Sequence, residues 1–225
     1  MAAFFYTTKL NNKNYMARHT KTDILDAAEY LFSLQGFTQT SMREITARAE
    51  VNLASVNYHF GSKKNLIQAV FKRFFDELMP QVEQRLNTLD IGKGALGVER
   101  LLYELVPPML QLNSLSDNGT ATFVKLLGRG YNETQGHLRR FIMNDYGTCI
   151  RAVISAIQNC LPHLPEEELF WRLHFAMGSF VFSMASSQAL MEIVESDFHK
   201  HVEIEEVINH LVPFVAQGLA GNVTK

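Results

Sequence analysis

No stretch of this chain sustains the alternation of apolar and polar residues that a half-buried strand requires. Apolar residues instead recur at three- and four-residue spacing almost throughout. That periodicity constrains the fold most: an all-α protein built from helices packed face to face. Its punctuation is uneven. Proline is absent before Pro80, and Gly36 and Gly61 are the only glycines in that stretch, which predicts a compact front unit followed by a larger helical body.

Charge divides the chain in the same way. The net charge of −2 over 225 residues hides 10 Lys+Arg against 5 Asp+Glu in residues 1–75, and 11 against 18 in the remainder. A basic front suits a nucleic-acid contact, and an acidic body suits a different task. With 47% hydrophobic residues, the chain has enough apolar surface to bury for disorder to be excluded.

Several function classes lack the residues they need. Cys149 and Cys160 form no CxxC pair and have no histidines at metal-ligand spacing, so no metal or cofactor is expected. Two reduced thiols of this kind fit the cytoplasm. Gly128-x-Gly130 lacks the third glycine and the preceding strand of a dinucleotide site, and no nucleophile motif or phosphate loop occurs. The chain therefore reads as a non-enzyme. Leu173–Met191 is free of Asp, Glu, Lys and Arg and approaches the length of a membrane span. Its histidine, glycine and serines mark instead a buried helix, central to a core or a subunit interface. No membrane partner is expected. The apolar run Ala2–Tyr6 is too brief for a secretion signal.

The front unit resolves into short helices with clear caps. Thr20 starts a first helix over about 21–35, with Ile24, Ala27, Ala28, Leu31 and Phe32 as its apolar stripe. Gly36 ends it and Phe37 turns back onto the core. Ser41-Met42-Arg43-Glu44 is a capping-box pattern opening a second helix. Asn52 caps a short third helix from Leu53 to about His59, closed by Phe60-Gly61. Ser62 caps a long fourth helix from Lys63 towards Leu89. Further helices are predicted around Leu101–Val106, interrupted at Pro107-Pro108, and over about 119–130, 134–160, 166–191 and 203–219.

Two short helices joined by a tight turn, in a basic segment, form a helix-turn-helix. Val51, Val56 and Phe60 supply the inward face of the third helix. Leu53, Ala54, Ser55, Asn57, Tyr58 and His59 are left on or near its outer face. Small Ala54 and Ser55 allow close approach to base edges, and the Asn57 amide can pair with a base. Tyr58 and His59 can donate to phosphates. Ser41, Arg43, Asn52 and Lys63, at or near helix N-termini, complete the candidate DNA contacts.

These residues carry a specific resemblance. The runs Gly36-Phe37-Thr38-Gln39-Thr40-Ser41-Met42-Arg43-Glu44-Ile45-Thr46, Val51-Asn52 and Tyr58-His59-Phe60-Gly61-Ser62-Lys63-Lys64-Asn65-Leu66 resemble the TetR family of bacterial repressors across about Thr20–Phe71. The resemblance implies an N-terminal three-helix DNA-binding domain (20–66), a C-terminal helical ligand-binding and dimerisation domain (67–225), and a homodimer on palindromic double-stranded operator DNA. Residues 1–19 are expected to be a flexible arm. Glu50 stands in the turn where the family usually has glycine. A left-handed backbone there costs Glu about 1 kcal/mol relative to Gly.

The back half resembles, more narrowly, fatty-acid-responsive members of that family. The runs are Leu126-Leu127-Gly128, Gln135-Gly136-His137-Leu138-Arg139, Glu168-Leu169-Phe170-Trp171-Arg172-x-His174-Phe175 and Phe182-Ser183-Met184. This implies a long-chain fatty acid or acyl-CoA as effector. Met109, Phe123, Leu127, Phe141, Trp171, Phe175 and Met184 are the flexible or aromatic side chains suited to an acyl pocket. Arg129 and His174, with Arg139 and Arg172, are the candidates for a carboxylate head. In any helical bundle most such apolar residues fill the core, and His174, in an apolar helix, reads first as a satisfied core histidine. An efflux regulator sensing aromatic or cationic compounds, with Glu104 or Glu133 in its pocket, is the competing reading. A helical enzyme or lipid carrier that kept the front domain is a third. For the dimer seam, Gly178, Ser179, Ser183 and Ser186 on one helix and Val207, Leu211, Phe214 and Val215 on another have the required character.

Overall fold

The structure, a computed structural model, describes residues 2–133 and 136–222, with side chains in the first helix from His19 onward. The arm expected over residues 1–19 therefore lies, apart from His19, outside the residues described in full. Among the described residues there is no strand, and no helix is long and apolar enough to cross a membrane. The chain clusters into two units. One comprises Met1–Arg73 with Arg129–Leu138, and the other Phe74–Gly128 with Arg139–Lys225.

The first unit contains α1 (Ala2–Gln39), α2 (Met42–Arg48), α3 (Leu53–Phe60) and the start of α4 (Lys63–Thr88). Gly36 breaks α1 with φ 87° and ψ 172°, a backbone region open essentially to glycine alone. After this kink Phe37 packs edge-on against Phe32, at 5.4 Å between centroids, and near Phe71 at 6.0 Å. Ile24, Ala28, Ile45, Val56 and Leu66 close the core around these rings. Arg73 on α4 pairs with Asp26 and with buried Glu29 on α1. Burial of Glu29 is tolerated because its charge has an ionic partner.

The second unit holds the rest of α4, α5 (Gly94–Gln111), most of α6 (Gly119–Asn132), much of α7 (Gly136–Asp145), α8 (Gly147–Cys160), α9 (Glu166–Ala185), α10 (Ser187–Phe198) and α11 (Ile204–Ala220). Helix α11 packs on both α5 and α9, and α5 on α8. The inward face of α11 places Leu211, Val215, Ala216 and Leu219 in a core with Leu101, Ile157 and Leu161. Ile208 and Val212, on the same face, lie beside Val124 and Met184.

Three expectations about helix extents are corrected. Pro107-Pro108 does not interrupt α5, which runs on to Gln111: Pro108 is buried, and half-buried Val106, Met109 and Leu110 pack against the cluster of Val124 and Met184, which holds the segment helical. The helix expected over 134–160 breaks at Tyr146, with φ −123°. There the Tyr146 hydroxyl donates to Asp76 at 2.7 Å and its ring lies 4.9 Å from that of Phe75. This tertiary anchor overrides local helix preference. The helix expected over 166–191 breaks at Ser186, φ −108°. The Ser187 hydroxyl there bonds the Met184 carbonyl at 3.1 Å, competing with the backbone ladder.

Candidate nucleic-acid interface

The helix-turn-helix is set by its caps. Ser41 Oγ accepts from the Glu44 amide at 3.2 Å, while the Ser41 amide donates to Glu44 Oε2 at 2.6 Å, so both arms of the capping box are closed. The Ser41 backbone and side-chain bonds, with Gln35, hold the Glu44 carboxyl below its usual titration range. At α3, Asn52 Oδ1 accepts from the Ser55 amide at 2.8 Å and from Ser55 Oγ at 3.1 Å. Ser62 Oγ receives the Asn65 amide at 3.1 Å and opens α4. A helix as short as α3 does not persist alone. These caps, with buried Val56 and Phe60, hold it.

The reader candidates separate by environment. Leu53, Ala54, Asn57 and Tyr58 are exposed, Tyr58 to 84%. His59 is half-buried with its ring edge-on to Tyr58 at 5.1 Å. Asn52 and Ser55 are engaged with each other as the α3 cap, which leaves the Asn52 carboxamide oxygen occupied. Arg43 is exposed on α2. Lys63 is half-buried, and its Nζ donates to the Thr38 carbonyl at 3.4 Å. Arg48 closes the outer side of α2 by placing its guanidinium 3.5 Å from the Tyr30 ring centroid, a cation–π contact. An α-helix with its side chains is about 10–12 Å across, a cross-section that the roughly 12 Å wide major groove admits.

Glu50 adopts φ 53°, the left-handed conformation that favours glycine. Replacing it by glycine is expected to raise the stability of this unit by roughly 0.5–1 kcal/mol. Thermal unfolding monitored by circular dichroism checks this, and an unchanged or lower midpoint contradicts it.

The candidate effector residues do not gather in one place. Phe123 is a core ring, 5.2 Å from Phe74 and 5.3 Å from Phe75. Met184 is buried beside Val124, Ile208 and Val212, with Met109 packed against the same cluster. Leu127 is half-buried, and half-buried Phe141 meets Tyr146 edge-on at 6.0 Å. Trp171, His174 and Phe175 lie apart from these side chains. They are exposed on α9, with Trp171 stacked on Phe175 at 6.3 Å and the His174 ring 4.1 Å from Phe170. Helical spacing puts them on the outer face while Leu173, Ala176 and Phe180 turn inward. His174 is accordingly no core histidine either.

Two of the cationic candidates, Arg172 and Arg129, are engaged elsewhere. Arg172 pairs with Glu168 at 2.7 Å and donates to the carbonyls of Leu219 and Gly221 at 2.9 and 2.6 Å, closing the C-terminus of α11. Arg129 donates to the Leu34 carbonyl at 3.0 Å. Arg139 is exposed. Leu211 and Val215, expected at a dimer seam, are buried in the chain's own core, whereas Phe214 between them is 68% exposed. Phe214 sits at the edge of the apolar stripe of α11, next to Leu211, so spacing alone did not separate it from its buried neighbours.

Sequence reasoning missed the role of Glu133. Its carboxylate accepts the Phe37 amide at 2.9 Å, the Thr38 amide at 2.6 Å and Thr38 Oγ1 at 2.6 Å. Partial burial opposes its charge, but the bonds from Thr38 and Phe37 and the nearby Arg129 outweigh that, and the carboxyl titrates below its usual value. Nothing local to Glu133 in the sequence announces partners so far along the chain.

An all-α chain whose amino-terminal unit presents a doubly capped helix-turn-helix is a DNA-binding regulator by fold. Residues 24–70 match the family model of bacterial regulatory proteins, tetR family, and residues 104–218 match the tetracyclin repressor-like C-terminal domain. The chain belongs to the TetR family of transcriptional regulators. It is 38% identical to the transcriptional regulator UidR of Escherichia coli over 185 residues, covering 75% of this chain and 93% of UidR. Another curated relative matches over only 42% of its own length. Among solved structures, a TetR-like regulator from Rhodococcus sp. RHA1 superimposes with TM-score 0.59 at 18% identity, over 90% of this chain and 97% of that one. The fatty acid degradation regulator FadR of Bacillus halodurans does so with TM-score 0.53 at 15% identity, over 91% and 96%. These two likenesses establish the fold alone.

Proposed function

We propose that this chain is a repressor that binds a palindromic operator as a homodimer. A long-chain fatty acid or acyl-CoA bound in the carboxy-terminal unit releases it, which controls genes of fatty-acid metabolism. The observation that carries the DNA-binding half is the outward face of α3, where Asn57 and Tyr58 stand exposed on a helix fixed from behind by Val56 and Phe60. Ala54 leaves room for a base edge, and Arg43 and Lys63 supply positive charge at the flanks.

The homodimer rests on α9 and α11. In the single chain they expose Phe175 to 66%, Phe182 to 62% and Phe214 to 68%, an apolar display that soluble chains normally cover. Gly178 and Gly218 stand on the same two helices with nothing within 4 Å of where a Cβ would lie. This leaves room for a close-packed partner helix. Two-fold symmetry would present two copies of α3 to successive major grooves.

Support for the effector class comes from three directions. The runs around Leu126, Gln135, Glu168 and Phe182 resemble the fatty-acid-responsive repressor PsrA. A fatty acid degradation regulator is among the proteins sharing the fold. Met109 and Met184 lie in one apolar cluster with Tyr103, Val106 and Phe180, and methionine repacks readily around a flexible chain. A cationic drug is less well supported, because both candidate acids are engaged: Glu104 pairs with Arg85 at 2.6 Å and Glu133 holds Phe37 and Thr38.

An effector releases DNA only if it binds the DNA-free state more tightly than the bound state. Saturating oleate or oleoyl-CoA is expected to weaken operator binding by about tenfold or more, measured by fluorescence anisotropy on an operator selected from random duplexes. Unchanged affinity with both ligands removes the lipid assignment.

A further inference from the structure

Gly36 leaves a kink that needs to be held on both sides, and both holds come from one place. Before the kink, Arg129 donates to the Leu34 carbonyl at 3.0 Å. After it, Glu133 takes the Phe37 and Thr38 amides and the Thr38 hydroxyl, at 2.9, 2.6 and 2.6 Å. The Glu133 amide donates to the Arg129 carbonyl at 2.9 Å, so the two charges sit one helical turn apart at the end of α6. Helix α6 is continuous: Gly119–Gly128 cluster with the carboxy-terminal unit, and Arg129 onward with the amino-terminal one.

The grip reaches the reader directly. Thr38 is held at its amide by Glu133 and at its carbonyl by Lys63, at 3.4 Å. Two residues on, Thr40 is fully buried with its hydroxyl on the Gly36 carbonyl at 2.7 Å. Ser41 follows as the cap of α2. A shift at Thr38 therefore moves the α2 cap and Lys63 together, both of them candidate phosphate contacts. Charge-assisted bonds to backbone amides are among the stronger and more directional restraints on a turn.

We infer that Glu133 and Arg129 are positioning residues for operator recognition, fixing the α1–α2 turn from the end of α6 without touching DNA. The inference rests on the DNA-binding role proposed above. A residue that positions the reader, unlike one that adds only stability, changes the ratio of operator to nonspecific affinity. Nonspecific binding depends on phosphate charge and tolerates a misplaced helix.

The test compares the intact protein with Glu133→Ala and the milder Thr38→Val, which keeps the side-chain shape and removes one donor. Glu133→Ala is expected to lose about tenfold or more in operator affinity, while nonspecific affinity stays within about twofold. Thr38→Val is expected to lose severalfold, and it serves as the deciding variant if Glu133→Ala does not fold. An unchanged ratio in a folded variant overturns the inference. Hydrogen exchange at the Phe37 and Thr38 amides, measured without DNA, gives a second readout. Protection in the native chain and exchange about tenfold faster in Glu133→Ala are expected, and equal rates overturn the clamp. A native chain that prefers no operator shows instead that the DNA-binding reading has failed, and the exchange rates still decide whether the clamp exists.

Discussion

Replacing Phe175 by glutamate is expected to give a folded monomer whose operator affinity falls by about a hundredfold or more. The side chain is 66% exposed in the single chain and touches Trp171 along α9, so a charge there leaves the chain's own core intact. In a two-fold interface the same carboxylate enters twice, and each copy is desolvated without a cation to meet it. Removing such a charge from water costs several kcal/mol per ion. The large effect on DNA follows because each half-site then binds alone. The second half-site contact of a dimer is intramolecular, and its contribution disappears with the interface. Sedimentation velocity and anisotropy test this together. A variant that stays dimeric and keeps native affinity places the seam elsewhere.

The outer faces of α9 and α11 are where the sequence is least informative. Spacing along α9 and α11 showed which residues share a face but not what covers that face. Leu211, Phe214 and Val215 looked equivalent by period, yet two lie in the chain's own core and one faces outward. The same ambiguity made Trp171 and Phe175 candidates for a pocket. Burial against the same chain and burial against a second copy leave the same apolar signal.

The front unit was legible because its determinants are local. The capping box at Ser41 and Glu44, the Asn52 cap, the Gly61 stop and the strained Glu50 each act within a few residues. All could be read before any tertiary contact was known. Glu133 could not, since its partners Phe37 and Thr38 are 96 and 95 positions away. Only the fold brings a carboxylate to those amides. Similar reasoning explains the break at Tyr146, where a bond to Asp76, 70 residues distant, ends a helix that local preference would continue.

Gly36 joins the two kinds of determinant, and Gly36→Ala is the other substitution with a large expected effect. Its φ of 87° and ψ of 172° lie where a Cβ carries a strain of about 1–3 kcal/mol. A Cβ there would also come within 2.4 Å of Glu133 Oε1, so the carboxylate must withdraw from the Phe37 and Thr38 amides. Strain and lost bonds together are expected to destabilise the front unit by about 2–4 kcal/mol. A double-mutant cycle with Glu133→Ala separates them. If the clash dominates, removing the carboxylate makes Gly36→Ala much less costly. If backbone strain dominates, the cost of Gly36→Ala is nearly the same with and without Glu133. Denaturant unfolding followed by circular dichroism measures all four forms, and a Gly36→Ala chain as stable as the native one contradicts both terms. The coupling between positions 36 and 133, rather than either single effect, measures how firmly the end of α6 is tied to the turn that precedes the reader.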